Sequence, residues 1–138
     1  MPDANQVIAE ARRWIGVRWH HQGRSFEKGV DCIGLCLKVA ENLGLEVPIV
    51  SRYPRRQNGS ELVSAMGNTL NPINRESWQQ GDIALFKDGG FPIHTGFLAL
   101  NNGQKTVIHA HARRRKVVEE QLETFGTPAA IYRLKEIT

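Results

Sequence analysis

The sequence predicts an α+β domain in which N-terminal helices pack on a small antiparallel β-sheet. Two helix-like apolar patterns occupy the first third of the chain, and strand-like runs follow one another from residue 83 onward. Strands gathered in one part of a chain favour an α+β arrangement over alternating helices and parallel strands. With 138 residues, we expect one domain, residues 1–138, that buries about 68% of its unfolded surface.

The first helix is predicted directly after the N-terminus. Asp3 and Gln6 have the spacing of a capping box, in which each side chain accepts a hydrogen bond from the other's backbone N–H. An apolar stripe follows and ends at Gly16; its members are Val7, Ile8, Ala11, Trp14 and Ile15. Residues 17–31, rich in Trp, His, Gly and Gln, are predicted to be irregular.

Residues 32–43 form the second predicted helix, which Gly44 ends. Its apolar face consists of Cys36, Val39, Ala40 and Leu43. Cys32 opens this helix, where unpaired backbone N–H groups and the macrodipole favour a thiolate. We therefore expect the pKa of Cys32 to fall below its ordinary value of about 8.5. Cys36 lies one turn further on, and we expect it to be a small core residue.

The second half is predicted to be mainly β. Residues 45–77 are rich in turn residues, with a short helix over Glu61–Met66. The predicted strands are Ile83–Phe86, Ile93–Leu100, Thr106–His111, Lys116–Glu119 and Ala129–Leu134. The run Asn101-Asn102-Gly103 is a strong hairpin signal. The hairpin places His94 and His109 on adjacent strands.

These two histidines complete a candidate nucleophilic site with Cys32. One ring can orient the other and fix the tautomer that faces the thiol, and the base either takes the thiol proton or rests with the thiolate as an ion pair. His111 alternates in register with His109 and competes for the orienting position. A zinc site is an alternative, because Cys32, Cys36 and two strand histidines could supply four ligands. We favour the reading without metal or cofactor.

Basic residues cluster in a chain of net charge +4 and pI near 9.4. They lie at Arg113–Lys116, after the second histidine strand, and at Arg52, Arg55 and Arg56. A local cationic surface attracts anionic polymers or substrate carboxylates. Because no nucleic-acid-binding motif accompanies the charge, we expect no nucleic acid partner and a carboxylate-rich substrate that Arg113 contacts.

The sequence also predicts the cellular compartment in which the protein is made. It has no run approaching the roughly 20 apolar residues of a membrane span, and residues 1–6 lack the basic and apolar regions of a secretory signal. We therefore expect synthesis and folding in the cytoplasm. Two cysteines four residues apart on one helix do not favour a structural disulfide.

Four ordered motifs resemble the NlpC-type family of papain-like cell-wall peptidases over about residues 5 to 120. They are Asp31–Leu35 (Asp-Cys-Ile-Gly-Leu), Gly81–Phe86, His94–Phe97 and Ile108–Ala110. The upstream segments Ala11–Gly16 and Trp19–Arg24 resemble a narrower branch, which contains peptidases encoded with phage tails and tail-like particles. Two positions depart from the family pattern: Ile33 replaces the usual Ser, and Trp19 stands where a Tyr is common.

The resemblance implies a papain-like fold and hydrolysis of peptide bonds in peptidoglycan stem peptides, typically next to D-glutamate and a diamino acid. It implies Cys32 as nucleophile, His94 as general base and His109 as orienting residue. It also implies action at the bacterial cell wall, with phage tail proteins as expected partners.

Further residues are predicted around the reacting atoms. The Cys32 backbone N–H and one donor from Trp19 or Gln22 would stabilise the oxyanion, and Asp31 would bind a substrate amine or brace the helix start. Two other functions are alternatives. One is an inactive tail assembly component, and the other is a thiol amidase or acyltransferase on the same scaffold.

Overall fold

The computed structural model describes residues 2–45 and 59–137. The loop arginines Arg52, Arg55 and Arg56 lie outside these ranges. The elements, in chain order, are α1 (Ala4–Arg12), β1 (Arg24–Ser25), β2 (Gly29–Val30), α2 (Cys32–Asn42), α3 (Ser60–Thr69), β3 (Asn71–Ile73), β4 (Ile83–Asp88), β5 (Phe91–Asn101), β6 (Gln104–His111), β7 (Lys116–Gln121), α4 (Leu122–Phe125) and β8 (Ala130–Arg133).

Six strands form one antiparallel sheet in the order β3-β8-β4-β5-β6-β7, and β1 pairs with β2 in a small separate ribbon. The predicted α+β class, with helices packed on an antiparallel sheet, is confirmed. The five predicted strands are β4 to β8 with small changes in their ends. The sequence did not predict β1, β2, β3 or α4, which are all four residues long or shorter, and α3 is longer than predicted.

Helix α1 begins with the predicted capping box. Gln6 N–H donates to Asp3 Oδ1 and Asp3 N–H donates to Gln6 Oε1, each at 2.9 Å. The helix ends at Arg12, earlier than the apolar stripe predicted. Trp14 is fully buried, but Ile15 is 45% exposed, because the chain turns after Arg13 and leaves the helical periodicity. Ile15 therefore does not continue the buried side of the apolar stripe, although the sequence placed it there.

The two faces of the sheet are covered differently. Helices α1, α2 and α3 pack on one face with the larger core, to which β5 contributes Phe97. The other face carries a smaller core in which Leu98 and Phe86 pack against Leu122 of α4. Successive residues of β5 therefore point alternately toward α2 and toward α4. Among the helices of the described ranges, none is long and apolar enough to cross a membrane.

The hairpin between β5 and β6 confirms the predicted turn. Asn101 pairs with Gln104, and the two loop residues, Asn102 and Gly103, have φ of 51° and 81°. This is the backbone that an Asn-Gly loop favours. The register continues to Phe97 opposite Ile108, which brings His109 beside Gly96 on the neighbouring strand.

Candidate active site

The N-terminus of α2 is held by the carboxylate of Asp31, which is 3% exposed. Its Oδ1 accepts a hydrogen bond from Gly34 N–H at 2.8 Å, and its Oδ2 accepts one from Gln22 N–H at 2.7 Å. Arg24 Nη1 lies 3.6 Å from Oδ1. Asp31 therefore braces the helix start, as one of the two predicted roles requires. Its contact with a substrate amine stays a prediction.

Cys32 follows directly, and its thiol donates to the carbonyl oxygen of Ile93 at 3.6 Å. This carbonyl lies at a β-bulge: Phe86 pairs with His94 and Lys87 pairs with Pro92, so Ile93 has no partner on β4. Bulges redirect backbone groups next to active sites. The thiol therefore contacts the residue that immediately precedes His94 on β5.

Burial, followed by the negative charge of Asp31, raises the pKa of Cys32 to about 11. The hydroxyl and backbone N–H of Thr95 and the backbone N–H of Ile33 act in the opposite direction but do not outweigh burial. The predicted lowering of the Cys32 pKa is therefore wrong for this state: although Cys32 is only partly buried, desolvation and the Asp31 charge outweigh the effect of the helix terminus.

His94, His109 and Glu120 form a continuous chain of hydrogen bonds. Nε2 of His94 is 2.7 Å from Nδ1 of His109, and Nε2 of His109 is 2.7 Å from Oε2 of Glu120. The His109 ring is fully buried and meets the His94 ring edge to face, with ring centroids 4.9 Å apart. A Cβ at Gly96 would lie 2.9 Å from Cβ of His109. Glycine at that position therefore leaves the space in which His109 sits.

Phe125 of α4 covers the imidazoles. Its ring centroid lies 4.4 Å from that of His109 and 5.4 Å from that of His94. Burial lowers the pKa of His94 to about 3, with the neighbouring His109 as the second cause. Burial also lowers the pKa of His109 to about 3, followed by the effects of His111 and Arg114. Both rings are therefore neutral at neutral pH.

The thiol of Cys32 and the ring of His94 both lie at the start of β5, where the neighbouring side chains of the strand point to opposite faces. On the α2 face, the Thr95 hydroxyl donates to the Cys32 carbonyl at 3.1 Å and accepts from the Cys36 thiol at 3.5 Å. Cys36 is buried, as predicted. On the other face, His94 packs near Phe86, with ring centroids 6.1 Å apart. The hydrogen bond of the Cys32 thiol goes to the backbone of β5 and the hydrogen bond of the His94 ring goes to His109.

His111, the competing candidate for the orienting position, is used differently. Its Nδ1 accepts from the backbone N–H groups of Arg113 at 3.2 Å and Arg114 at 3.4 Å, which orders the turn between β6 and β7. Of the two candidates, His109 is the one hydrogen-bonded to His94.

The zinc alternative conflicts with this geometry, because hydrogen bonds to His94 and Glu120 engage both ring nitrogens of His109 and leave neither for a metal. Residues 2–45 and 59–137 contain no group of three or more His, Cys, Asp or Glu side chains placed to hold a metal.

Trp19 and Gln22, the two residues from which an oxyanion donor is predicted, both use their backbone N–H groups in hydrogen bonds within the protein. Trp19 N–H donates to the carbonyl of Arg115 at 2.8 Å, and Gln22 N–H donates to Asp31. Both backbone N–H groups hold the loop before α2 in place. A contribution from their side chains stays a prediction. The Trp19 side chain is partly buried against the larger core.

A groove of about 810 Å³ opens on the His94 side of the sheet. His94, Glu120 and Arg113 line it, together with the cationic side chains of Arg75 and Lys87. Arg75 is fixed by a hydrogen bond from its Nη1 to the carbonyl of Pro128 at 3.2 Å. The structure thus brings Arg113 to a concave surface beside His94, although its contact with substrate stays a prediction.

Sequence reasoning missed Glu120, Phe125 and Thr95. Val118 pairs opposite His109, and alternation along β7 places Glu120 on the same face as Val118. The predicted strand ended at Glu119, one residue short of Glu120. Phe125 lies on a four-residue helix that has no periodicity to detect. Thr95 lies in a predicted strand, but its contact with Cys32 was not predicted. Its position next to His94 indicates that the two side chains point to opposite faces of the sheet.

Solved structures define the class of fold. An NlpC/P60 family protein from Bacillus cereus is similar with a TM-score of 0.72 at 22% identity, covering 96% of this chain and 40% of that one. The NlpC/p60 domain of the peptidoglycan hydrolase SagA has a TM-score of 0.68 at 20% identity, covering 95% and 98%. RipD from Mycobacterium tuberculosis, described as a non-catalytic NlpC/p60 domain protein adapted to peptidoglycan binding, has a TM-score of 0.65 at 18% identity, covering 94% and 95%.

These likenesses confirm the papain-like NlpC/P60 fold. The chain spans less than half of the Bacillus cereus protein, so that protein's full architecture extends beyond the shared domain. A comparison with curated proteins finds no match. The family model described as the NlpC/P60 family matches residues 16–132. The chain belongs to the NlpC/P60 family, which includes peptidoglycan hydrolases and non-catalytic members.

Proposed function

We propose that this protein is a cysteine endopeptidase that hydrolyses peptide bonds in peptidoglycan stem peptides at the bacterial cell wall. One observation carries the proposal: a helix-terminal thiol, Cys32, meets the start of the strand that holds His94, whose ring is hydrogen-bonded to His109. Membership of a family with peptidoglycan hydrolases supports the substrate class.

In the proposed reaction, Cys32 is the nucleophile and His94 the general base. The thiol hydrogen leaves the Ile93 carbonyl, its proton passes to His94, and sulfur attacks the carbonyl carbon of the stem peptide. The Cys32 backbone N–H stabilises the oxyanion. The C–N bond then breaks, the amine leaves with the proton from His94, and water hydrolyses the thioester to a carboxylate and the free thiol.

The groove beside His94 supports an acidic peptide as substrate. Arg113, Arg75 and Lys87 carry three positive charges on its walls, which exceed the two carboxylates there, Asp88 and Glu120. Stem peptides carry carboxylates, and guanidinium groups bind carboxylates through charge-assisted hydrogen bonds. We therefore assign Arg113 to substrate binding rather than to the reacting atoms.

The test is mass spectrometry of purified peptidoglycan fragments after incubation with wild type, Cys32→Ala and Cys36→Ala. We expect a new free amine and a shortened stem with wild type and Cys36→Ala, and no product with Cys32→Ala. Cys36 is the matched control, since it lies one turn further on the same helix and its thiol is buried. Cleavage that survives Cys32→Ala would contradict the proposal.

A second candidate is peptidoglycan binding without cleavage. The raised pKa of Cys32 and its hydrogen bond to Ile93 favour this candidate, because both keep the thiol protonated. RipD, which has the same fold, is described as non-catalytic. Retention of the folded wild type on insoluble peptidoglycan, with no product from any stem chemotype, would support binding alone. A thiol amidase or acyltransferase would instead be identified by its products in the same spectra.

We also propose that the protein is a component of a phage tail or tail-like particle. The proposal rests on the resemblance of the segments Ala11–Gly16 and Trp19–Arg24 to that branch of the family. Quantitative mass spectrometry of purified particles should detect the protein at a fixed ratio to the tail proteins. Its absence from intact particles would contradict this association.

A further inference from the structure

The carboxylate of Glu120 lies at the end of the imidazole chain, and the reaction proposed above makes no use of it. Its Oε2 is 2.7 Å from Nε2 of His109, and the opposite ring nitrogen of His109 is 2.7 Å from Nε2 of His94. Because the His109 ring is fully buried, water does not compete for either nitrogen. Each of these two hydrogen bonds needs one donor and one acceptor, and the His109 ring takes part in both. The position of the proton in one bond therefore determines its position in the other.

The order follows from the donor and acceptor properties of the three groups. An ionised carboxylate only accepts hydrogen bonds, so Nε2 of His109 must carry the hydrogen. A neutral imidazole has one N–H, so Nδ1 of His109 accepts and Nε2 of His94 donates to it. The remaining nitrogen of His94, Nδ1, is then left with an unprotonated lone pair.

The reverse order would require a protonated Glu120 that donates to His109. Arg114 argues against it, because its Nη2 lies 3.9 Å from Oε1 of Glu120 and a nearby positive charge favours the carboxylate. The Glu120 side chain is 13% exposed, so it retains some contact with water. The ion pair with Arg114 therefore favours Glu120 as the acceptor of the hydrogen bond with His109.

We propose that Glu120 is a positioning residue that sets the tautomers of His109 and His94, and that it thereby makes Nδ1 of His94 the basic nitrogen. The role of that nitrogen toward Cys32 rests on the proposed function. The tautomers themselves do not, because they are a property of the protein without substrate.

The next residue on β7, Glu119, provides a matched control. It is also a carboxylate, but it points to the opposite face, where it pairs with Arg12 at 3.0 Å and accepts from the Thr106 hydroxyl at 2.7 Å. A change from Glu to Gln at either position removes one charge from the same strand. Only the change at Glu120 alters a hydrogen bond to an imidazole.

The first experiment is NMR of ¹⁵N-labelled histidine side chains at neutral pH, read at His94 and His109. We expect wild type to carry hydrogen at Nε2 of both rings, with Nδ1 of His94 unprotonated. In Glu120→Gln the side-chain amide can donate to Nε2 of His109, so we expect the two histidines to adopt mixed or reversed tautomers. In Glu119→Gln we expect the wild-type tautomers. A wild-type His94 protonated at Nδ1, or tautomers unchanged in Glu120→Gln, would overturn the proposal. The wild-type spectrum alone decides the case if Glu120→Gln does not fold.

The second experiment measures stem-peptide cleavage by the same variants. We expect kcat of Glu120→Gln to fall by more than roughly tenfold, with KM little changed. The upper limit is the ~10⁴-fold decrease seen when the carboxylate of a catalytic triad is replaced by its amide. Glu120→Asp should recover part of the loss, and Glu119→Gln should keep the wild-type kcat. Equal kcat for Glu120→Gln and Glu119→Gln would contradict the proposal. Absence of turnover in wild type would instead count against the peptidase, while the NMR result would still decide the tautomers.

Discussion

The thiol of Cys32 and the ring of His94 both lie at the start of β5, but their hydrogen-bond partners differ. On the α2 side, the Cys32 thiol donates a hydrogen bond to a backbone carbonyl, and burial raises the pKa of Cys32 to about 11. On the α4 side, the imidazoles are locked into a hydrogen-bonded chain that ends at Glu120 and is covered by Phe125.

This difference identifies the group that must change its hydrogen bond before reaction. With a pKa of about 3 at His94 and about 11 at Cys32, the proton belongs on sulfur at neutral pH. An ion pair is therefore not the resting state of this structure. The base is oriented in advance, whereas the nucleophile becomes active only when its hydrogen leaves the Ile93 carbonyl.

Removing the general base is expected to lower turnover strongly. His94→Ala should lower kcat/KM for stem-peptide cleavage by roughly 10²- to 10⁴-fold, the usual contribution of a positioned general base. His20→Ala, which removes an exposed loop histidine, is the control and should retain activity. The measurement is steady-state cleavage followed by mass spectrometry. A His94→Ala protein that keeps wild-type activity would rule out the assigned base.

The next effect concerns the start of α2. Asp31→Ala removes the acceptor of one buried hydrogen bond, from Gly34 N–H, and of one partly buried hydrogen bond, from Gln22 N–H. Loss of an N-cap costs about 1 kcal/mol, and a buried N–H left without an acceptor costs a further ~1–3 kcal/mol. Asp3→Ala, which removes the exposed cap of α1, should cost only about 1 kcal/mol of unfolding free energy. Urea unfolding of both variants measures the difference, and equal losses would show that Asp31 does not brace the site.

A smaller effect is expected from uncovering the imidazoles. Phe125→Ala removes the ring that packs on His109 and His94 but keeps their hydrogen bonds. Water then reaches the rings, the penalty on the charged form decreases, and the pKa of both histidines rises from about 3 toward 6.5. Histidine NMR during acid titration measures this shift. Leu100→Ala, at the exposed far end of β5, should leave both pKa values unchanged, and an equally small change in Phe125→Ala would contradict the shielding role.

The sign of this shift also predicts how stability depends on pH. Because the folded pKa of His94 and His109 is below the unfolded value near 6.5, the unfolded chain binds more protons between pH 6.5 and about 3. The contribution of these neutral rings is fully present above pH 6.5 and is lost as the pH falls toward 3. Phe125→Ala should flatten this dependence in thermal unfolding scans.

Much of the fold could be predicted from local sequence. The capping box at Asp3, the apolar face after Cys32 and the Asn102-Gly103 turn each need only neighbouring residues, and all three are confirmed. The hairpin then predicted that His94 and His109 would be neighbours. Four ordered motifs pointed to the family before any geometry was known.

The rest depends on contacts distant in sequence. The pKa of Cys32 follows from its burial against β5, which its helical position does not reveal. Glu120 reaches His109 only through the register of β6 and β7, and Ile93 faces the thiol only because of a bulge. The backbone of Gln22 is occupied by Asp31, nine residues away. Such effects arise from tertiary packing, so patterns within one element do not reveal them.

The most direct test of the account is the rate of Cys32 alkylation by iodoacetamide as a function of pH, measured on Cys36→Ala so that one thiol remains. Only the thiolate reacts, so a pKa of about 11 predicts slow labelling at neutral pH and a rise of about tenfold per pH unit toward that value. The same profile in Cys36→Ala/His94→Ala should be unchanged, because the resting thiol does not share its proton with His94. A rate that is already maximal near neutral pH and depends on His94 would show a resting ion pair and contradict the account.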